Sequence, residues 1–149
     1  MDAVRAAGAV HAIDRAVEDV REAVNEYTGG AGVAAVFDPI GASTCDTSLQ
    51  LLAPRGCLIS YGELAGPAPD INLHKLFSRS VFVTKYNGMH WVKGVSEFPA
   101  LISEGLTLAA NRPAIISEIA GRFSLDQIID AYRKLEADPH GKVLVLPGL

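Results

Sequence analysis

The chain has 149 residues, 49% of them hydrophobic and 20% charged, with a formal net charge of −4. This balance predicts a globular core and argues against a basic nucleic-acid surface. No stretch nears the roughly 20 apolar residues of a membrane span, and the N-terminal MDAVRAAGAV lacks a secretory signal's long apolar run, so the expectation is a cytoplasmic protein.

Residues 3–9 read as the tail of a helix ending at Gly8, and residues 10–13 as a short apolar strand interrupted by His11. Val17, Val20, Val24 and Tyr27 fall on one helical face, closed by Gly29 and Gly30. Residues 33–37 are continuously apolar, as in a strand covered on both faces, and Asp38-Pro39-Ile40-Gly41 ends them. Cys45, Leu49 and Leu52 form a second helical stripe. Pro54-Arg55-Gly56 then turns the chain into a strand over residues 57–61.

A loop rich in glycine and proline follows at residues 62–69, then a short helix near residues 73–77. Residues 80–84 (SVFVT) are rich in strand formers. Val95, Phe98 and Ile102 mark a helix ending at Gly105, and residues 115–123 read as extended or mixed. Ser124 with Gln127 has capping-box spacing and opens a helix faced by Leu125, Ile128, Ile129, Tyr132 and Leu135. Residues 138–141 are a turn, and residues 142–146 a last strand stopped by Pro147. Strand and helix alternate through most of the chain, which argues a parallel sheet with crossover helices. The final strand-helix-strand run fits a further layer.

Cys45 and Cys57 sit in apolar segments and fit no zinc spacing, so they read as buried free thiols. His11, His74, His90 and His140 show no ligand spacing with each other or with the cysteines; no metal site is expected. No nucleophile-elbow sequence is present, and no catalytic side chain is assigned.

Five motifs in order resemble the C-terminal portion of the medium-chain dehydrogenase/reductases, in their zinc-free quinone oxidoreductase branch. They are Gly8-Ala9 with Ala12-Ile13-Asp14, and Thr28-Gly29-Gly30 with Gly32-Val33. Phe37-Asp38-Pro39-Ile40-Gly41 comes third, and Leu52-Ala53-Pro54-Arg55-Gly56 with Ser60-Tyr61-Gly62 fourth. Gly141-Lys142-Val143 closes the series. The resemblance implies an α/β fold: an incomplete Rossmann-like parallel sheet with flanking helices, lacking the first βαβ unit, plus a C-terminal helix and strand. Residues 1–112 would be the partial dinucleotide-binding domain, and residues 113–149 a segment that in the family returns to the substrate domain. The family's A-x-x-G-x-x-G pyrophosphate loop and its substrate domain are not in this sequence.

The resemblance also implies NADP(H), with NAD(H) possible and no zinc, and hydride transfer to a quinone or an activated carbonyl or alkene. Asp38 and Gly41 would line the ribose side of the cofactor, or form a plain turn. Ser60, Tyr61 and Gly62 would meet the nicotinamide end, or form a buried aromatic before a turn. Arg15 would stack on adenine or pair with a 2′-phosphate, or be a solvated surface charge; Lys142 would reach the cofactor, or be a surface lysine. Residues 80–86, from Ser80 to Tyr86, resemble the strand through which family members pair, which implies a homodimer. The alternative to an enzyme is a non-catalytic dimerising remnant or subunit, completed by another polypeptide.

Overall fold

A computed structural model describes residues 2–92, 94–111, 118–138 and 140–148. It divides into two units, one of residues 11–97 and one of residues 2–10 with 98–149. The helix at residues 98–111, expected in the dinucleotide-binding part, groups with the second unit; the expected boundary at residues 112 and 113 falls outside the described residues.

In the first unit, α2 (Val20–Thr28) is followed by β1 (Val33–Asp38), α3 (Cys45–Leu51) and β2 (Leu52–Ser60). Then come α4 (His74–Phe77) and β3 (Phe82–Lys85). (α1, Asp2–Ala6, belongs to the second unit.) The three strands form one parallel sheet in the order β1-β2-β3. Asp19 caps α2 by accepting from the N–H groups of Arg21 at 2.8 Å and Glu22 at 3.2 Å, orphan donors of the first turn. Val17 therefore stands outside the helix and is exposed.

Cys45, Leu49, Leu52 and Leu58 form the buried core between α3 and β2, with Val33, Val36, Ala68, Ile71, Leu76 and Val81 packed against it. From Gly56 to Ser60 burial alternates along β2, the period of a strand with one covered face. The expectation of a β1 covered on both faces is corrected: Phe37 is 69% exposed. Its neighbours Val36 and Asp38 point to the α3 side. Cys57 is half-buried rather than buried; Cys45 is buried and both thiols are free. Burial pushes the Cys45 thiol up, with Asp46 and Asp38 adding to it.

Two further expectations change. Residues 10–13 form no strand; instead His11 stacks on Tyr27 with ring centroids 3.4 Å apart. The Pro54-Arg55-Gly56 turn is absorbed into β2 as a bulge. Val33 stands opposite Leu52 and Ala35 opposite Cys57, with Arg55 in the left-handed region at φ 65°.

In the second unit, α5 (Phe98–Asn111) runs straight through Gly105 rather than ending there. Leu106 and Leu108 continue the apolar run past it, and one interior glycine costs only about 1 kcal/mol. β4 (Ile119–Ser124) and β5 (Lys142–Leu146) pair in parallel, joined by a 3₁₀ turn (Leu125–Gln127) and α6 (Ile128–Ala137). The capping box forms: Ser124 N–H donates to Gln127 Oε1 at 3.1 Å. No helix among the described residues is long and apolar enough to cross a membrane.

Candidate functional site at the carboxyl edge of the sheet

The three parallel strands end in one row. Asp38 is the register partner of Ser60, and Ser60 of Lys85. The ladder continues one step into the loops, with Tyr61 N–H donating to Asp38 O at 3.0 Å and Tyr86 N–H to Ser60 O at 2.8 Å. Ligands of open parallel sheets bind outside this carboxyl edge. The row brings together five of the residues singled out in the sequence: Asp38, Gly41, Ser60, Tyr61 and Gly62.

Their environments differ sharply. Asp38 is 4% exposed. Its carboxylate accepts from Ile40 N–H at 2.8 Å, Gly41 N–H at 3.1 Å, Thr44 Oγ1 at 2.8 Å and Ser48 Oγ at 3.1 Å. Burial alone would raise this carboxyl's pKa, but the bonds from Ile40, Thr44, Gly41 and Ser48 outweigh it and hold it below its ordinary value. Ser60 is also buried, yet its Oγ has no hydrogen-bond partner among the described residues. An orphaned buried hydroxyl is uncommon in native structures. Tyr61, at the rim, is half exposed.

Thr44, Ser48, Lys85 and Glu63 were not singled out in the sequence. Thr44 and Ser48 are four residues apart, so a helix starting near Cys45 turns both toward a carboxylate just ahead of it. That spacing was the available signal. Lys85 Nζ pairs with Glu63 Oε1 at 2.7 Å and approaches Gly62 O at 3.5 Å, tying the end of β3 to the loop after β2. Only strand register, invisible in the sequence, links these two.

Arg15 lies in an exposed turn, with no hydrogen bond or ion pair among the described residues. Lys142 belongs to the second unit, at the first position of β5, and its side chain is exposed. An open cleft of about 360 Å³ lies at the opposite, amino end of the sheet, lined in part by Arg21, Asn25, Gln50 and Arg79. There Arg79 donates to the carbonyls of Leu49, Gln50 and Leu52, satisfying the C-terminus of α3. Among the described residues no group of three or more His, Cys, Asp or Glu could hold a metal ion.

Comparison with known proteins places the chain. The family model described as zinc-binding dehydrogenase matches residues 1–106. A quinone oxidoreductase of Pseudomonas aeruginosa is 34% identical over 94% of this chain and 43% of its own length. A 2-haloacrylate reductase of a Burkholderia species is 33% identical over 98% of the chain and 44% of its own. The Escherichia coli quinone oxidoreductase solved with NADPH superposes with a TM-score of 0.80 at 29% identity, covering 94% of this chain and 44% of that one. The chain thus spans less than half the length of the relatives it matches. It belongs to the zinc-binding dehydrogenase family, in the quinone oxidoreductase-like branch of the medium-chain dehydrogenase/reductases.

Proposed function

We propose that this chain supplies the carboxyl edge of an NADP(H)-dependent oxidoreductase site, where hydride passes from NADPH to a quinone or to an activated carbonyl or alkene. The observation that carries this reading is the buried, unpaired Ser60 hydroxyl in the aligned row of strand ends. Such an edge fits the polar end of a bound cofactor, and a hydrogen bond from that group would satisfy Oγ. NADPH, when bound, supplies the hydride; the protein supplies orientation and electrostatics. Ser60 would donate or accept a hydrogen bond, and Tyr61 would flank the group at the rim. Asp38, Gly41 and Gly62 would shape the wall. Arg15 keeps the role that the resemblance implies, at the adenine or its 2′-phosphate.

Calorimetric titration with NADPH, and with NADH beside it, tests this. The expected result is micromolar NADPH binding. Ser60→Ala should weaken it by about tenfold, equivalent to about 1.4 kcal/mol, without lowering thermal stability, since the deleted hydroxyl is unpaired. No binding up to millimolar NADPH removes the reading for this chain.

A second reading, a non-catalytic dimerising subunit completed by another polypeptide, has one observation in its favour. All four residues of β3 are exposed, Phe82 among them at 62%, along an outer edge that pairs with no strand among the described residues. Such an edge templates pairing with another chain. A homodimer through residues 80–86 would show as a concentration-dependent mass in sedimentation, abolished by Val83→Pro.

A further inference from the structure

The loop after β1 and the loop after β2 are bonded to each other through their backbones. Leu64 N–H donates to Pro39 O at 3.2 Å and Ala65 N–H to Ile40 O at 2.9 Å. In the other direction, Ala42 N–H donates to Gly66 O at 3.1 Å. The two backbones touch where their glycines lie. A Cβ added to Gly62 would overlap Pro39 O and lie 2.8 Å from Pro39 Cα; one added to Gly41 would overlap Gly66 O. Gly41 has φ 90°, a conformation that side chains strain to adopt. From inside, the Asp38 carboxylate holds the first loop by the bonds from Ile40, Gly41, Thr44 and Ser48. An ionised carboxylate offers about four acceptor positions, so those bonds leave none for a ribose hydroxyl.

We propose that these two loops form a clasp assembled before any ligand arrives, in which Asp38, Gly41 and Gly62 are positioning residues that build the rim rather than groups that touch a bound molecule. The inference rests on reading the carboxyl edge as a ligand rim and reassigns three residues of that reading. The close approach that glycine permits here is of one loop to the other. The carboxylate organises the chain's own N–H and O–H donors. A rim ordered in this way needs no ordering on binding, which is how preorganisation favours affinity.

Amide hydrogen exchange on the full chain, with no nucleotide and then with NADPH, tests the clasp. The amides of Ala42, Leu64 and Ala65 are expected to be protected without nucleotide. Thr44→Val, which deletes a donor to Asp38, should lower their protection roughly tenfold, the equivalent of about 1.4 kcal/mol, and leave Leu58 and Ile59 in β2 unchanged. Thr44→Ser should restore it. The proposal is overturned if those three amides exchange freely until NADPH is added. It also falls if Thr44→Val leaves them unchanged, or lowers β2 equally, because Thr44 would then act on the fold as a whole. The nucleotide-free arms decide the clasp even where NADPH does not bind, so its failure and that of the cofactor reading are distinguishable.

Discussion

The two units carry equally clear local signals and resolve them differently. In the first, the α3 stripe of Cys45, Leu49 and the following Leu52 meets Leu58 of β2 and disappears from solvent. In the second, the face of Leu125 in the 3₁₀ turn and Ile128, Ile129, Tyr132 and Leu135 in α6 forms behind its capping box, yet every one of those side chains is exposed. Ala131 is the only buried hydrophobic residue of that unit among the described residues. Periodicity specifies which residues share a face. Whether the face is buried depends on a second surface, and the two-stranded β4-β5 sheet covers α6 less fully than the core of the first unit covers α3.

Mutation of the two stripes gives the widest expected contrast. Leu52→Ala, at a fully buried position, should cost about 2–5 kcal/mol of stability in denaturant unfolding. Ile129→Ala, at 63% exposure, should stay within about 0.5 kcal/mol. Equal costs would break the comparison and show that α6 is covered in solution.

Acid sharpens it at intermediate scale. The folded Asp38 carboxyl lies below its ordinary value, which is about 3.9 in the unfolded chain. Its contribution is complete above that pH and is lost as pH falls through the lower folded value. The first unit should therefore unfold on acidification in a transition that Asp38→Asn flattens; an unchanged acid limb in that variant would contradict the buried network.

The smallest effect belongs to the second unit. Lys134 bonds to the Asp138 carboxylate at 2.7 Å, and His140 N–H and ring approach it too, lowering its pKa to about 2. The Asp138 side-chain carboxyl should stay ionised down to about pH 4 and protonate only near the lower value, read from its own carboxyl carbon shift. Lys134→Met should move that midpoint upward.

Much of this fold was legible because its determinants are local. The helices announce themselves through the capping box at Ser124 and through spaced apolar faces, and β1, β3 and β5 through runs of strand formers. The errors came where residues beyond the local motif decide. Residues 10–13 have strand composition but no paired neighbour among the described residues. Gly105 reads as a terminator, yet the apolar residues beyond it carry α5 onward. At the carboxyl edge, the D-x-x-G and S-Y-G signals fall on strand ends that the register aligns. That Asp38 serves Thr44 and Ser48, and that Gly62 makes room for Pro39, depends on how two loops meet in space.

The bulge at the start of β2 also bears on how such a sequence can change length. α3 passes into β2 without an intervening residue, and the bulge takes up the surplus between Leu52 and Cys57 while Arg55 N–H donates to Arg79 O at 2.8 Å. One residue added within residues 53–56 enlarges a segment that is already out of register and leaves Leu58 and Ser60 facing inward. The same addition after Cys57 would turn every later side chain of the strand to the opposite face. Insertions and deletions among relatives should therefore gather before Cys57, and the strand end that forms the rim should be inherited as a block of invariant length.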